Sequence, residues 1–275
     1  MQNPNCDEEG FPKTREIPGL GPVPVLHEDE SSLGIDKPPG SPVPKTSPAD
    51  PVDPADPVDV STFLAPIHHL DPEESGCLWL AKSPEALRVY QRFVAQDRVS
   101  FQHLAVVGGK PRQRRWECRL KIHPDPRFPG RFLTDTQRGR HAATEFEVLA
   151  HGEGLVLILA TTTMSIPHQV RVHLAEAGLP IVGDTLYGFG RDLPRGGRRT
   201  RTVERTRPAT APDGATAAGT AAPDALRMPI ALRCVAILLD HTEPHARIEI
   251  QASVDEFLAP FGFDVDAEET GIDEE

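Results

Sequence analysis

Two segments carry side chains whose types and spacing suit chemistry. The first is Ile67-His68-His69-Leu70-Asp71-Pro72-Glu73-Glu74-Ser75-Gly76, where Asp71 falls between an apolar run and a turn containing Pro and Gly. A buried strand is predicted over 77–81. A sheet would then fix the Asp71 backbone while its carboxylate stands at a cleft edge. On pattern alone an ordinary Asx-turn residue is the stronger reading. The second segment is His168-Gln169-Val170-Arg171-Val172-His173-Leu174. On a helix, His168, Arg171 and Ala175 share one side, and Val170, Leu174 and Ala177 form the packed one. A guanidinium beside a packed face can pair with a carboxylate from another segment; the alternative is a solvated helix face.

Other chemistries are poorly served. His168 and His173 are five apart rather than four, so they do not form a helical zinc pair, and no metal is expected. Cys6, Cys77, Cys118 and Cys234 are scattered without a C-x-x-C pair, which argues against paired thiolate ligands and a disulfide framework. There is no P-loop or G-x-G-x-x-G, and no serine lies in an elbow motif.

The elements that must position these groups are legible in outline. A first compact element runs from 25 to the turn Pro38-Pro39-Gly40. Ser83-Pro84-Glu85 opens a helix carrying Leu87, Tyr90, Phe93 and Val94. Strands are predicted over 101–107, over 116–122 with Trp, Cys, Leu and Ile on one face, and as a pair over 145–150 and 155–161. Ser165-Ile166-Pro167 opens a second helix through Ala177, closed by Gly178. Two last strands follow over 231–239 and 246–250. Three stretches are expected to lack regular structure: the acidic, Pro-rich 1–24, the tail 263–275, and a flexible insertion over 189–224. Residues 41–60 form a Pro/Asp loop. The remaining 25–262 is one α+β domain.

Charge refines the class. The 275 residues hold 41 Asp+Glu and 29 Lys+Arg, a net −12. Residues 1–60 carry 12 acids and 4 bases, and 251–275 carry 9 acids and no base. Residues 101–207 hold 18 bases and 10 acids, so a basic middle separates acidic ends. A nucleic-acid ligand is therefore not excluded, because phosphate contacts depend on local charge. The block Lys110-Pro111-Arg112-Gln113-Arg114-Arg115 is a candidate RNA contact, or a solvated turn. The longest apolar run, 154–160, is too short to span a bilayer, and the acidic first residues lack an apolar signal. A cytoplasmic monomer is expected, with no membrane partner.

Taken in order, these segments resemble the RluA-type pseudouridine synthase family. Residues 25–40 resemble its opening strand pair and lysine-proline-x-glycine turn. His68-His69-Leu70-Asp71-Pro72-Glu73-Glu74-Ser75-Gly76 resembles its His-Arg-Leu-Asp-x-x-Thr-Ser-Gly motif. Residues 168–174 resemble its third motif, and Ile181-Val182-Gly183-Asp184-Thr185-Leu186-Tyr187-Gly188 the turn that follows it.

The resemblance implies a mixed, mainly antiparallel sheet with flanking helices and an RNA-binding cleft, working without metal or organic cofactor. The implied reaction detaches uracil from ribose C1′, rotates it and rejoins it through C5, on ribosomal or transfer RNA and not on DNA. Asp71 would be the essential carboxylate and Arg171 its partner, with the target base flipped out to reach them. His103 stands where the family has a stacking tyrosine, and a histidine can also stack and move protons. His69, His168 and Gln169 would contact RNA. The chain departs from the family at four places. His69 replaces arginine, Glu74 replaces threonine and adds a negative charge near Asp71, His103 replaces tyrosine, and Ser165-Ile166-Pro167 replaces Gly-Arg-Thr. These departures leave a second expectation, a catalytically impaired RNA-binding relative of the same fold. A third, an acidic protein-interaction module, accounts for the ends but not the motifs.

Overall fold

The apolar run before residue 82 becomes a strand whose seven residues, Ser75–Ala81, are all buried. A strand covered on both faces needs no alternation. The computed structural model describes residues 13–43, 63–152, 154–188, 229–239 and 247–263. The insertion 189–224, most of the Pro/Asp loop and the tail beyond Phe263 lie outside the described residues.

In chain order the elements are β1 (Thr14–Ile17), β2 (Gly21–Glu28), β3 (Ser32–Lys37), β4 (Ala65–Pro66), β5 (Ser75–Ala81), α1 (Pro84–Ala95), β6 (Val99–Gly108), β7 (Arg115–Cys118), β8 (Lys121–Pro124), β9 (Phe132–Asp135), β10 (Thr144–His151), β11 (Leu155–Thr162), α2 (Gln169–Glu176), β12 (Leu232–Leu239), β13 (Ile248–Gln251) and α3 (Asp255–Leu258). Eleven strands form one sheet along the path β1-β2-β3-β5-β12-β6-β11-β10-β7, with β13 on β12 and β4 on β5; β8 and β9 pair separately. The sheet is antiparallel except where β12 meets β5 in parallel, Cys234 opposite Gly76. This is the expected α+β class.

Gly76 makes that junction possible. Its φ is +101°, and a Cβ there would lie 2.0 Å from the Cys234 carbonyl oxygen. β12 also unites the two larger hydrophobic clusters. Cys234, Ile237 and Leu239 belong with Leu33, Trp79 and Phe101, whereas Leu232 and Val235 belong with Leu104, Ile158 and Leu174.

Three local expectations are corrected. Against the expected irregular stretch 1–24, β1 and β2 pair from Thr14 onward, with Thr14 opposite Pro24. Ile17 and Val23 are each only 1 % exposed, so this hairpin has core to bury. The predicted strand 116–122 breaks after Cys118. Its partner β10 begins at Thr144, opposite Cys118, so no ladder remains beyond that point. The Leu120 carbonyl instead accepts a hydrogen bond from His173 Nε2 at 3.0 Å, and the chain turns into β8. The second helix starts at Gln169 rather than near Ser165. Ser165 lies four residues before that start and its Oγ accepts from the His69 backbone N–H at 2.6 Å, while His168 occupies the N-cap position, left-handed at φ +58°. Gly178, at φ +75°, follows this helix as expected.

Candidate active site

The loop that carries Asp71 is held by contacts to β3, β5 and β6. The His68 ring stacks on Phe101 at 4.9 Å, and its Nε2 accepts from the Trp79 backbone N–H at 3.1 Å. Lys37, buried at the end of β3, donates from Nζ to the Pro72 carbonyl at 3.0 Å and also to those of Pro38 and Ser41. Within the loop the Glu74 N–H donates to the Asp71 carbonyl, and the Asp71 N–H donates to Glu74 Oε2, both at 3.1 Å. A carboxylate on so tightly tied a turn has little freedom to move.

Arg171 reaches Asp71 from α2. Its Nη1 donates to Asp71 Oδ2 at 2.8 Å. The rest of the guanidinium grips Asp184, with Nε to Oδ2 at 2.8 Å and Nη2 to Oδ1 at 3.0 Å. Asp184 is itself fixed by the backbone N–H groups of Leu186 and Tyr187, which donate to Oδ1. The other Asp71 oxygen, Oδ1, accepts from His69 Nε2 at 2.8 Å, and His168 Nε2 stands 3.6 Å from Oδ2. His168 Nδ1 meets the Tyr187 hydroxyl at 2.9 Å, which also accepts from the Phe132 N–H.

These contacts decide protonation. Burial would raise the Asp71 pKa, but the His69 hydrogen bond, His168 and Arg171 outweigh it and hold the carboxyl well below the usual range. Glu74 goes the other way. Burial, then the charge of Asp71, pushes its pKa well up, favouring the neutral acid. The extra negative charge expected at this position is thereby muted. Burial pulls Lys37 down to about 8 against the attraction of Glu74, Glu73 and Asp71. His103 falls to about 4 by burial, with Asp71 opposing. Burial likewise lowers His168.

Asp71 borders a small cleft, lined among others by His69, Glu74, His103, Ser165 and His168. His103, on β6, is 7 % exposed, and its Nδ1 has no hydrogen-bond partner among the described residues. Asp71, Arg171, His103, His69 and His168 are thus drawn together. Gln169 also borders the cleft, but it is 4 % exposed, and its Nε2 donates to the Ala143 carbonyl, Thr144 Oγ1 and Thr162 Oγ1. These bonds tie α2 onto the sheet, while the buried Oε1 has no hydrogen-bond partner among the described residues. The basic block is not part of the cleft. Lys110 and Arg112 follow the far end of β6, and Arg114 and Arg115, at the start of the outermost strand β7, pair with Glu147 of β10 at 3.7 and 2.7 Å. Residues 103 and 110 are roughly 23 Å apart along an extended chain.

Sequence reasoning assigned no site role to Asp184, Lys37 or Tyr187. Asp184 did carry a signal, since it lies in the turn quoted for the family resemblance. Nothing in local spacing showed that it shares a guanidinium with Asp71.

Similarity to known proteins is consistent with this architecture. Relatives include an uncharacterized RNA pseudouridine synthase of Zymomonas mobilis, 32% identical over 175 residues, or 61% of this chain and 80% of that protein. The ribosomal large subunit pseudouridine synthase C of Escherichia coli is 28% identical over 203 residues, 70% of this chain and 62% of that one. The chain thus spans less than two thirds of the E. coli protein. Among solved structures, human RNA Pseudouridylate Synthase Domain Containing 4 superposes with a TM-score of 0.57 at 19% identity, covering 86% of this chain and 90% of that one. That likeness concerns the fold. The profile of the RNA pseudouridylate synthase family matches residues 33–176, from β3 through the carboxylate loop to the end of α2. By that match the chain belongs to the RNA pseudouridylate synthase family, in its RluA-type branch.

Proposed function

We propose that this protein isomerises uridine to pseudouridine in ribosomal or transfer RNA, with Asp71 as the essential carboxylate. The observation that carries this reading is a buried aspartate, kept ionised by Arg171, that lines a cleft together with His69, His103 and His168. Asp71 attacks or assists at ribose C1′ as the C1′–N1 bond breaks. The freed uracil rotates, C5 bonds to C1′, C5 loses its proton and N1 gains one, so the reaction is a net isomerisation. Arg171 balances the charge of Asp71 without taking it away. His103 Nδ1, neutral and without a partner, is the group we assign to accept the C5 proton.

Asp71 and Arg171 meet without a residue from a second copy, so the proposed reaction needs one chain. Cys77, Cys118 and Cys234 are free thiols, which supports a cytoplasmic setting. A second reading, an RNA-binding relative with impaired catalysis, draws support from His69. It holds the Asp71 oxygen that Arg171 leaves open.

The test incubates the protein with transcribed ribosomal and transfer RNA and maps pseudouridine by carbodiimide labelling and primer extension. A site made by wild type and lost in Asp71→Asn is the expected result. Identical blank maps from two proteins that both bind RNA would favour the second reading.

A further inference from the structure

The loop joining β8 to β9 presents a group that the catalytic cleft does not use. Its sequence is Asp125-Pro126-Arg127-Phe128-Pro129-Gly130-Arg131. Asp125 Oδ1 accepts from the Arg127 N–H at 3.0 Å, the Arg131 N–H donates to the Phe128 carbonyl at 3.1 Å, and the Asp125 N–H to the Arg131 carbonyl at 2.8 Å. With two prolines added, the tip is fixed before any ligand arrives.

Held there, Phe128 is 50% exposed, and only Val89 joins it as an exposed large apolar side chain among the described residues. Cations surround the ring. The Arg131 and Arg127 guanidinium carbons lie 5.6 and 6.0 Å from its centre. Arg131 is 5% exposed, yet its Nε and Nη2 have no hydrogen-bond acceptor among the described residues; Asp125 Oδ2 stands 3.8 Å from Nε. Between 119 and 140 there are six Lys and Arg against two Asp. The loop is also tied to the catalytic cleft. Arg131 lies 5.9 Å from the Tyr187 ring, and Tyr187 holds both Phe132 and His168.

A lone aromatic ring among cations is too small and too charged a patch for a protein interface. It suits a nucleobase, whose face stacks on the ring while its phosphate meets the exposed Arg127. We propose that Phe128, flanked by Arg127 and Arg131, is a stacking platform for an unpaired nucleotide of the RNA substrate next to the target uridine. This rests on the RNA-modifying reading above.

The test measures binding of a fluorescein-labelled single-stranded oligouridylate of about 12 nucleotides to the full chain by fluorescence anisotropy, across a salt series. Phe128→Ala and Phe128→Leu should each weaken binding about tenfold, with the salt slope and Tm unchanged. Phe128→Tyr should stay within about twofold of wild type by keeping the ring. Wild-type affinity in the Ala and Leu variants overturns the platform alone. Full affinity in Leu with loss in Ala also overturns it, because that marks apolar contact rather than stacking. A wild type that binds no RNA overturns the platform together with the RNA reading.

Discussion

Arg171 and Asp184 form a two-point pair, Nε to Oδ2 at 2.8 Å and Nη2 to Oδ1 at 3.0 Å, with both side chains buried. The pair leaves Nη1 as the part of the fork aimed at Asp71, one hundred residues away in the chain. Asp184 therefore sets the direction from which charge reaches the carboxylate, without bordering the cleft itself.

Asp184→Asn should loosen that aim. Leaving a buried guanidinium short of a carboxylate costs about 3–5 kcal/mol, read as a lower urea midpoint. The turnover number should fall at least about tenfold, the effect of misplacing a charged catalytic neighbour, while RNA affinity holds. A variant as active as wild type would remove Asp184 from the positioning of Arg171.

His103→Phe should lower the turnover number by roughly 10²–10⁴-fold, and His103→Tyr should recover much of it, because a phenol can also stack and accept a proton. The folded-state pKa of about 4 lies below the free value of 6.5, so His103 is neutral at working pH. Between 6.5 and about 4 the unfolded chain binds the extra proton, and stability falls as pH falls through that window. Urea titrations from pH 7 to 4 should show a smaller decline in His103→Phe than in wild type.

Glu74→Gln should stabilise the protein at neutral pH. The Glu74 pKa is raised in the folded state, so above the free value of 4.5 the unfolded chain releases a proton that the folded one retains. That difference works against folding as pH rises, and Gln removes it while still accepting from the Asp71 N–H. A gain on the order of 1 kcal/mol or more at pH 8 is expected, vanishing near pH 4. An equal or lower Tm at pH 8 would contradict the neutral acid.

Gly76→Ala should unfold the centre of the sheet. At φ +101°, with backbone oxygen 2.0 Å from the new carbon, no rotamer gives relief. The expected loss is at least about 3 kcal/mol, measured by urea unfolding. A variant within about 1 kcal/mol of wild type would show that the β5 to β12 junction can shift.

Much of this was legible because periodicity and punctuation record local choices. The apolar strands, the Ser83 cap and the Gly178 stop each depend on neighbours within a few residues. The strand break after Cys118 was not legible, since it depends on where β10 begins in another segment. Ser165 reads as a helix cap, but the helix begins four residues later and the Ser165 hydroxyl serves His69, 96 residues away. Glu74 reads as a charge until burial beside Asp71 is known. The site failed to be legible wherever a side chain's partner lay far off in sequence.

The position of β12 sets an order of events during synthesis. It lies between β5 and β6 and contributes side chains to both main clusters, yet it is made after every other strand except β13. Until residues 232–239 have left the ribosome, the strand carrying His103 and the strand after Asp71 have no common neighbour. At roughly 5–20 residues per second, the nascent chain spends seconds with two half-sheets exposing apolar edges. Competence for catalysis therefore arrives late and in one step. A chain cut short before that strand is a substrate for chaperones and proteases rather than a slower enzyme.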